Sequence, residues 1–390
     1  MLASIGVLAC GGEGEFSVGF ERTDSAGVEI VHNMGVASSA FQLDSGRVLP
    51  GPPLARVQAG RLLNGGQAVY SDGARNRLIF AHPDSSGWRS VGGPGEGPGE
   101  FRGIRAIWRC GGDTLVVRSG LSGAQLFTIE GQYARSIVDP RIRGGGLGVS
   151  SDCGRFALMS PMSASEQNLM ADSLTYGWYD PAAGSLAASI RIPIARRQVI
   201  SFYGEEVPAA VPFENDAILA VADSLMYSGS ASIPAIRTFD PAGLLIRIAR
   251  WQAHPQALTD DDRSRYERMR MELDTLQGPG ASDRVPRLDA FELPKVKPLM
   301  SRLISGGGGD LWIQKYPSYW EGFESSHTAA SDEVEWWVMD SSGKILGSVA
   351  AAPQTRILDV RSGSVLTVRP DRMGVPIVRV HADPFDSSAP

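Results

Sequence analysis

Five times along this chain an apolar, strand-like run ends in a short polar corner and then resumes. The corners are HPDSSG at 82–87, IEGQ at 129–132, DPAAG at 180–184, DPAG at 240–243 and DSSG at 340–343. Asp, Ser and Gly in such corners tolerate the backbone that tight hairpins require. Recurrence in register marks a repeat architecture, in which each unit buries its faces against its neighbours. The pieces between corners are short and rich in β-branched residues, so they read as small antiparallel sheets.

Aligned on these corners, the sequence divides into six units. The first runs from Pro53 to Gly93 (LARVQ, QAVYSD, RLIFAH, WRSVGG) and the second from Gly103 to Asp139. The third begins at Gly146 (GLGVSS, RFALMS, TYGWYD, LAASIRIP). The fourth holds PAAVPF, AILAVADS, AIRTFDPAG and LLIRIARW, ending at Trp251. The fifth has LMSRLIS, LWIQKY, VEWWVMDSSG and KILGSVA, and the sixth only TRILDV, SVLTVR and VPIVRVHA. Six four-stranded antiparallel sheets set radially make an all-β, six-bladed β-propeller. Because the sixth unit lacks a strand, the lone strand AGVEIVHN (26–33) is expected to close the last blade and remove its exposed edge.

One stretch breaks the β pattern. From Thr259, TDDDRSRYERMRMELDTL has an N-cap Thr, three Asp in the first turn, and Tyr266, Met269, Leu273 and Leu276 at helical spacing. It reads as a helical insertion over 258–297, between blades 4 and 5. The propeller is expected over 26–384, with a tether over 1–25 and a disordered tail over 385–390.

Between the first two units, GGPGEGPGEF (92–101) cannot continue a helix or a central strand and must be a defined loop. This run (Gly95, Gly97, Pro98, Gly99, Glu100, Phe101), the corner Phe239-Asp240-Pro241-Ala242-Gly243, DLWIQKY at 310–316 and the closing GVPIVRV carry a resemblance. The chain resembles the bacterial six-bladed β-propeller lipoproteins related to NHL-repeat proteins, over nearly everything after Ala26. The resemblance speaks for the fold and says little about activity.

Met1 to Cys10 reads MLASIGVLAC, and its small residues before a Cys resemble a bacterial lipobox, with Cys10 lipidated and GGEGE as a flexible tether. A positive n-region and a longer apolar stretch are missing. The run is therefore either a signal whose start lies upstream or a short buried apolar end. Elsewhere no segment approaches the roughly 18 apolar residues of a membrane span. The expected location is extracytoplasmic and lipid-anchored, in the periplasm or at the outer membrane or cell surface. In that setting the remaining cysteines, Cys110 in WRCGGD and Cys153 in SSDCGR, are expected to pair. They occupy equivalent turns of successive units, although two unrelated buried thiols would also fit.

Candidate ligand contacts follow from the architecture. A propeller commonly binds at the axial mouth formed by the loops leading into the innermost strands and the loops between second and third strands. The lead-in loops carry Arg102 and Arg105, Arg143, Lys295 and Lys297, and Arg356, with Glu205 and Glu206 in unit four. A cationic ring there would focus field on an anionic ligand, unless these are ordinary solvated side chains. In the loop YPSYWEGFESSH, Tyr316, Tyr319, Trp320 and Phe323 could grip a sugar or peptide, or pack beneath the helix that follows Thr259.

The expected function is a binding or scaffold module for a peptide, glycan or protein partner, monomeric, without a cofactor, and touching membrane only through its anchor. Nucleic acid is not expected, because the net charge is −6 and no basic run occurs. The alternative is a metal-assisted hydrolase or lyase, lactonase-like with axial Ca²⁺ or amidating-lyase-like with Zn²⁺. It would need converging carboxylates or imidazoles. The histidines (His32, His82, His254, His327, His381) fall outside the expected innermost strands, where only Glu214 with Asn215, and Asp359, suit a cation.

Overall fold

A computed structural model describes residues 19–385 apart from 36–39, 121–122, 144–145, 160–172, 215–216, 223, 279, 317–332 and 362. The polar corners do what their composition demands. Asp240 Oδ1 accepts the N–H groups of Ala242 and Leu244, and Asp340 Oδ1 those of Ser342 and Lys344. Gly243 and Gly343 close these turns at φ 80° and 87°, where a side chain would be strained. Blade 6 has the same device at Asp371, which accepts from Met373 and Val375. This sixth corner, DRMG, escapes notice in the sequence because Arg and Met replace its small residues.

The chain forms six four-stranded antiparallel blades of a propeller. Their innermost strands are Gly60–Leu62, Ile104–Cys110, Gly146–Val149, Ala217–Ala222, Met300–Ser305 and Arg356–Arg361. Each junction between neighbouring blades has its own apolar core. Phe80 meets Phe101 and Phe127 between blades 1 and 2, and Trp108 meets Phe156 and Tyr179 between blades 2 and 3. Trp178 packs with Met226, Trp251 with Trp337, and Trp312 and Trp336 with Ile357. Tyr70 and Leu62 with Leu366 and Val380 seal blade 1 against blade 6, so the ring is closed.

The glycine-rich run is the link between blades 1 and 2. Phe101 is fully buried in their shared core, and a Cβ on Gly92 would lie 2.3 Å from its ring. Gln125 accepts from Gly99 N–H and donates to Glu100 O, while Glu100 itself accepts from Gly97 N–H. The motif is a structural plug.

Four assignments change. Val28–Asn33 does not close the last blade; it pairs in parallel with Leu245–Trp251, outermost in blade 4. Closure of blade 6 falls to Arg47–Val48, antiparallel to Pro376–Ala382, while Ala40–Gln42 runs along blade 5. The N-terminal segment thus laces the rims of blades 4, 5 and 6 before entering blade 1. Phe20–Ser25, expected within the tether, forms a hairpin with Val28–Asn33 across Ala26 and Gly27. LARVQ is not the first strand of blade 1, which is Gly60–Leu62. PAAVPF is not the innermost strand of blade 4: its first residues belong to a separate hairpin, Arg197–Phe202 with Glu205–Ala210.

The helical insertion holds. Asp260–Gln277 is a helix whose N-cap Thr259 forms a capping box with Asp262. Tyr266 and Leu273 are buried with Phe213 and Leu288, and Met269 packs at the edge of this cluster. The separate hairpin docks here too: Arg196 and Gln198 donate to Glu292 O at 2.9 and 3.0 Å. Two insertions, one before blade 4 and one after it, therefore share a small core. No helix among the described residues is long and apolar enough to cross a membrane.

Candidate functional site

With the inter-blade junctions filled by apolar side chains, the axis is left to what the innermost strands present. A cavity of about 200 Å³ lies there, lined from all six blades. Its lining is Arg61 and Leu62, Trp108 and Arg109, Leu147 to Val149 with Ser151, Leu219 to Ala222, Arg302 to Gly307, and Leu358 to Arg361. These are mostly the last residues of their strands. The cavity therefore faces the turns joining first and second strands, away from the loops that lead into the blades.

The lining is polarised around the ring. Blades 5, 6, 1 and 2 contribute Arg302, Arg361, Arg61 and Arg109, whereas blades 3 and 4 contribute Leu147, Val149, Leu219 and Val221. Among the described residues, Asp359 is the one carboxylate in the lining. It accepts Leu62 N–H at 2.8 Å and lies 3.8 Å from Arg61 Nε. Burial pushes its carboxyl up from the usual range, against the pull of Arg61, the Leu62 N–H and Arg361. Arg61 also donates to Gly60 O and Leu358 O. Arg109 donates to Gly112 O and Asn64 Oδ1, yet its Nη1 is buried without a hydrogen-bond partner. Burial, and then the like charge of Arg361, lower the Arg109 pKa, with Asp113 and Asp359 acting against them.

A disulfide frames one side of this cavity. Cys110 directly follows Arg109, Cys153 lies two residues beyond Ser151, and their sulfurs are bonded at 2.06 Å. The bond joins the first turns of blades 2 and 3, as the equivalence of WRCGGD and SSDCGR implied.

Among the described residues, none of Arg102, Arg105, Lys295, Lys297 and Arg356 lines the cavity. Arg102 is exposed and pairs with Glu96 at 3.1 Å, and Arg105 and Lys295 are also exposed. Lys297, half-buried, pairs with buried Asp262 at 2.9 Å and anchors the helix N-terminus. Arg356 donates to Val57 O. Arg143 ends a short helical turn, Pro140–Arg143, and its side chain is outside the described residues. Glu205 and Glu206 stand on the separate hairpin, and Glu214 pairs with Arg196. Tyr316 packs against the cluster beneath the helix, whereas Cys10, Asn215, Tyr319, Trp320, Phe323 and His327 lie outside the described residues.

Among the described residues no three of His, Cys, Asp and Glu come together as a metal site. The axial donor set does not fit a hard cation, which takes six to eight oxygens; four arginines and one carboxylate residue are among those lining the same space. Sequence reasoning missed Arg61, Arg109, Arg302 and Arg361. Their one signal is an arginine inside an innermost strand or at its end, and that strand had first to be assigned correctly.

No family model and no curated protein matches the chain. Solved structures do align with it. A protein from Bacteroides fragilis aligns at 9% identity over 88% of this chain and 99% of that one, with a TM-score of 0.48. A DUF4221 family member from Bacteroides vulgatus aligns at 10% identity over 88% and 94%, TM-score 0.46. Regucalcin, a calcium-binding protein from Agrobacterium tumefaciens, aligns at 10% identity over 88% and 96%, TM-score 0.35.

Proposed function

We propose that this protein is a binding or scaffold propeller of the extracytoplasmic space, lipid-anchored through Cys10 and akin to the NHL-related lipoproteins. Its partner is a peptide, glycan or protein, met by exposed loops that include Arg102, Arg105 and Lys295. One observation supports binding over metal-assisted hydrolysis or lysis: among the described residues, the axis is lined by arginines and apolar residues, and no carboxylates or imidazoles converge there. The Cys110–Cys153 bond supports an oxidising compartment.

The test is metal stoichiometry. Purified protein is incubated with CaCl₂ or ZnCl₂, desalted and analysed for bound metal, and its melting temperature is compared with and without chelator. Substoichiometric metal and an unchanged melting temperature are expected. One retained equivalent, with a rise of several degrees, would replace the binding reading with the enzymatic one.

A further inference from the structure

The axial cavity holds more positive charge than its own residues neutralise. Among the described residues, Arg302 and Arg361 have no hydrogen-bond or ion-pair partner, and Arg109 keeps a buried Nη1 without an acceptor. Asp359 cannot balance them alone: its single carboxyl is shared among Arg61, Arg361 and Arg109, and it also accepts the Leu62 N–H. Like charges gathered in a walled cavity repel more strongly than in water, because less solvent screens them. Such an arrangement weakens the empty protein unless an anion neutralises it, and folds keep such local costs mainly at sites of function.

We propose that this cavity is a binding site for a small organic anion. Its carboxylate or phosphate oxygens would be held by Arg109, Arg302 and Arg361, and its apolar part would lie against Leu147, Leu219 and Val221. Three features of the lining select that class. Guanidiniums present planar, paired donors that match carboxylate and phosphate oxygens. The basic arc covers four contiguous blades and the apolar arc the other two, so a ligand with a charged end and an apolar end fits better than a bare ion. About 200 Å³ is enough for a short-chain or single-ring acid, since a cavity of about 150 Å³ takes up benzene, and too little for a folded peptide. Arg109 is already fixed by Gly112 and Asn64, and the disulfide beside it ties its turn to blade 3, so binding would order little further.

This inference goes beyond the partner-binding reading, which uses loops at the opposite mouth, and its test is separate from metal retention. Titration calorimetry and thermal shift at low ionic strength would use four probes: hexanoate, phenyl phosphate, inorganic phosphate and hexanamide. One or both organic anions should bind and raise the melting temperature by at least about 2 °C at tenfold excess over Kd. Whichever of hexanoate and phenyl phosphate binds more tightly identifies the head group. Inorganic phosphate should bind at least tenfold more weakly than that anion, and neutral hexanamide should not bind. Arg361→Gln and Arg302→Gln should each weaken binding tenfold or more while leaving the melting temperature of the unliganded protein equal or higher. A purely structural arginine would lower it. Absence of binding by both organic anions, equal binding of hexanamide or of inorganic phosphate, or variants that lose stability but keep affinity would each overturn the proposal.

Discussion

Asp139, only 8% exposed at the junction of blades 2 and 3, shows how one residue joins two repeats. Burial alone would raise its pKa. Hydrogen bonds from the Arg141 side chain, the Tyr179 hydroxyl and the Arg141 N–H outweigh that and hold it at about 2. Tyr179 responds in kind, pushed up to about 12 by burial and then by its bond to Asp139. Because the folded-state pKa lies below the ordinary value, the contribution to stability is complete above about pH 4 and lost as pH falls through 2. Asp139→Asn should lower stability at neutral pH by about 1–3 kcal/mol. Its urea midpoint should also fall less steeply than wild type between pH 4 and 2; an unchanged acid slope would show that other carboxylates set it. Little of this is legible in the sequence, because Tyr179 is 40 positions away. Corner aspartates such as Asp240 and Asp340 were legible because their partners lie within four residues. The cavity arginines belong with Asp139: nothing local separates Arg302, inside the ring, from Arg105, which is exposed.

Elements were read correctly wherever their identity is local, and misplaced where only a distant partner decides. The alternation in Val28–Asn33 marks a strand, but parallel pairing with Leu245–Trp251 depends on contacts more than 200 residues away. PAAVPF has the apolar content of an inner strand, yet Pro208 and Pro212 cannot donate to a ladder, which argues against a central position. The capped helix, by contrast, carries its start signal in Thr259 and Asp262. What Val28–Asn33 adds to the fold is concentrated at its end. Buried Asn33 donates to Arg250 O and Gly343 O, both at 3.1 Å, and accepts Ile345 N–H at 2.9 Å. It thereby clamps blade 4 to blade 5. Asn33→Ala would leave backbone groups without partners in a buried site and should cost about 2–4 kcal/mol, read from denaturant midpoints. An effect under about 0.5 kcal/mol would mean that water replaces the amide at no penalty.

At the scale of the whole molecule, a propeller is held by six interfaces in a closed circuit, so weakening one loads the others. The circuit has two kinds of fastening. Blade 6 meets blade 1 through an apolar core and the short strand Arg47–Val48, with His381 bonded to Asp44 and Thr367 beside it. Blades 2 and 3 are joined covalently by Cys110–Cys153, which spans 43 residues. Closing a loop of that length restricts the unfolded chain by about 4 kcal/mol in the chain-entropy estimate, and native disulfides typically contribute about 2–4. The double variant Cys110→Ser/Cys153→Ser should therefore unfold about 2–4 kcal/mol earlier than the oxidised wild type. It should also match wild type in the presence of reductant, since both then lack the bond. The apolar core of Trp108, Phe156 and Tyr179 joins the same two blades, so the variant should keep a single cooperative transition. A first transition confined to blades 2 and 3 would instead mean that the covalent bond, more than their apolar contact, makes these two repeats part of one folding unit.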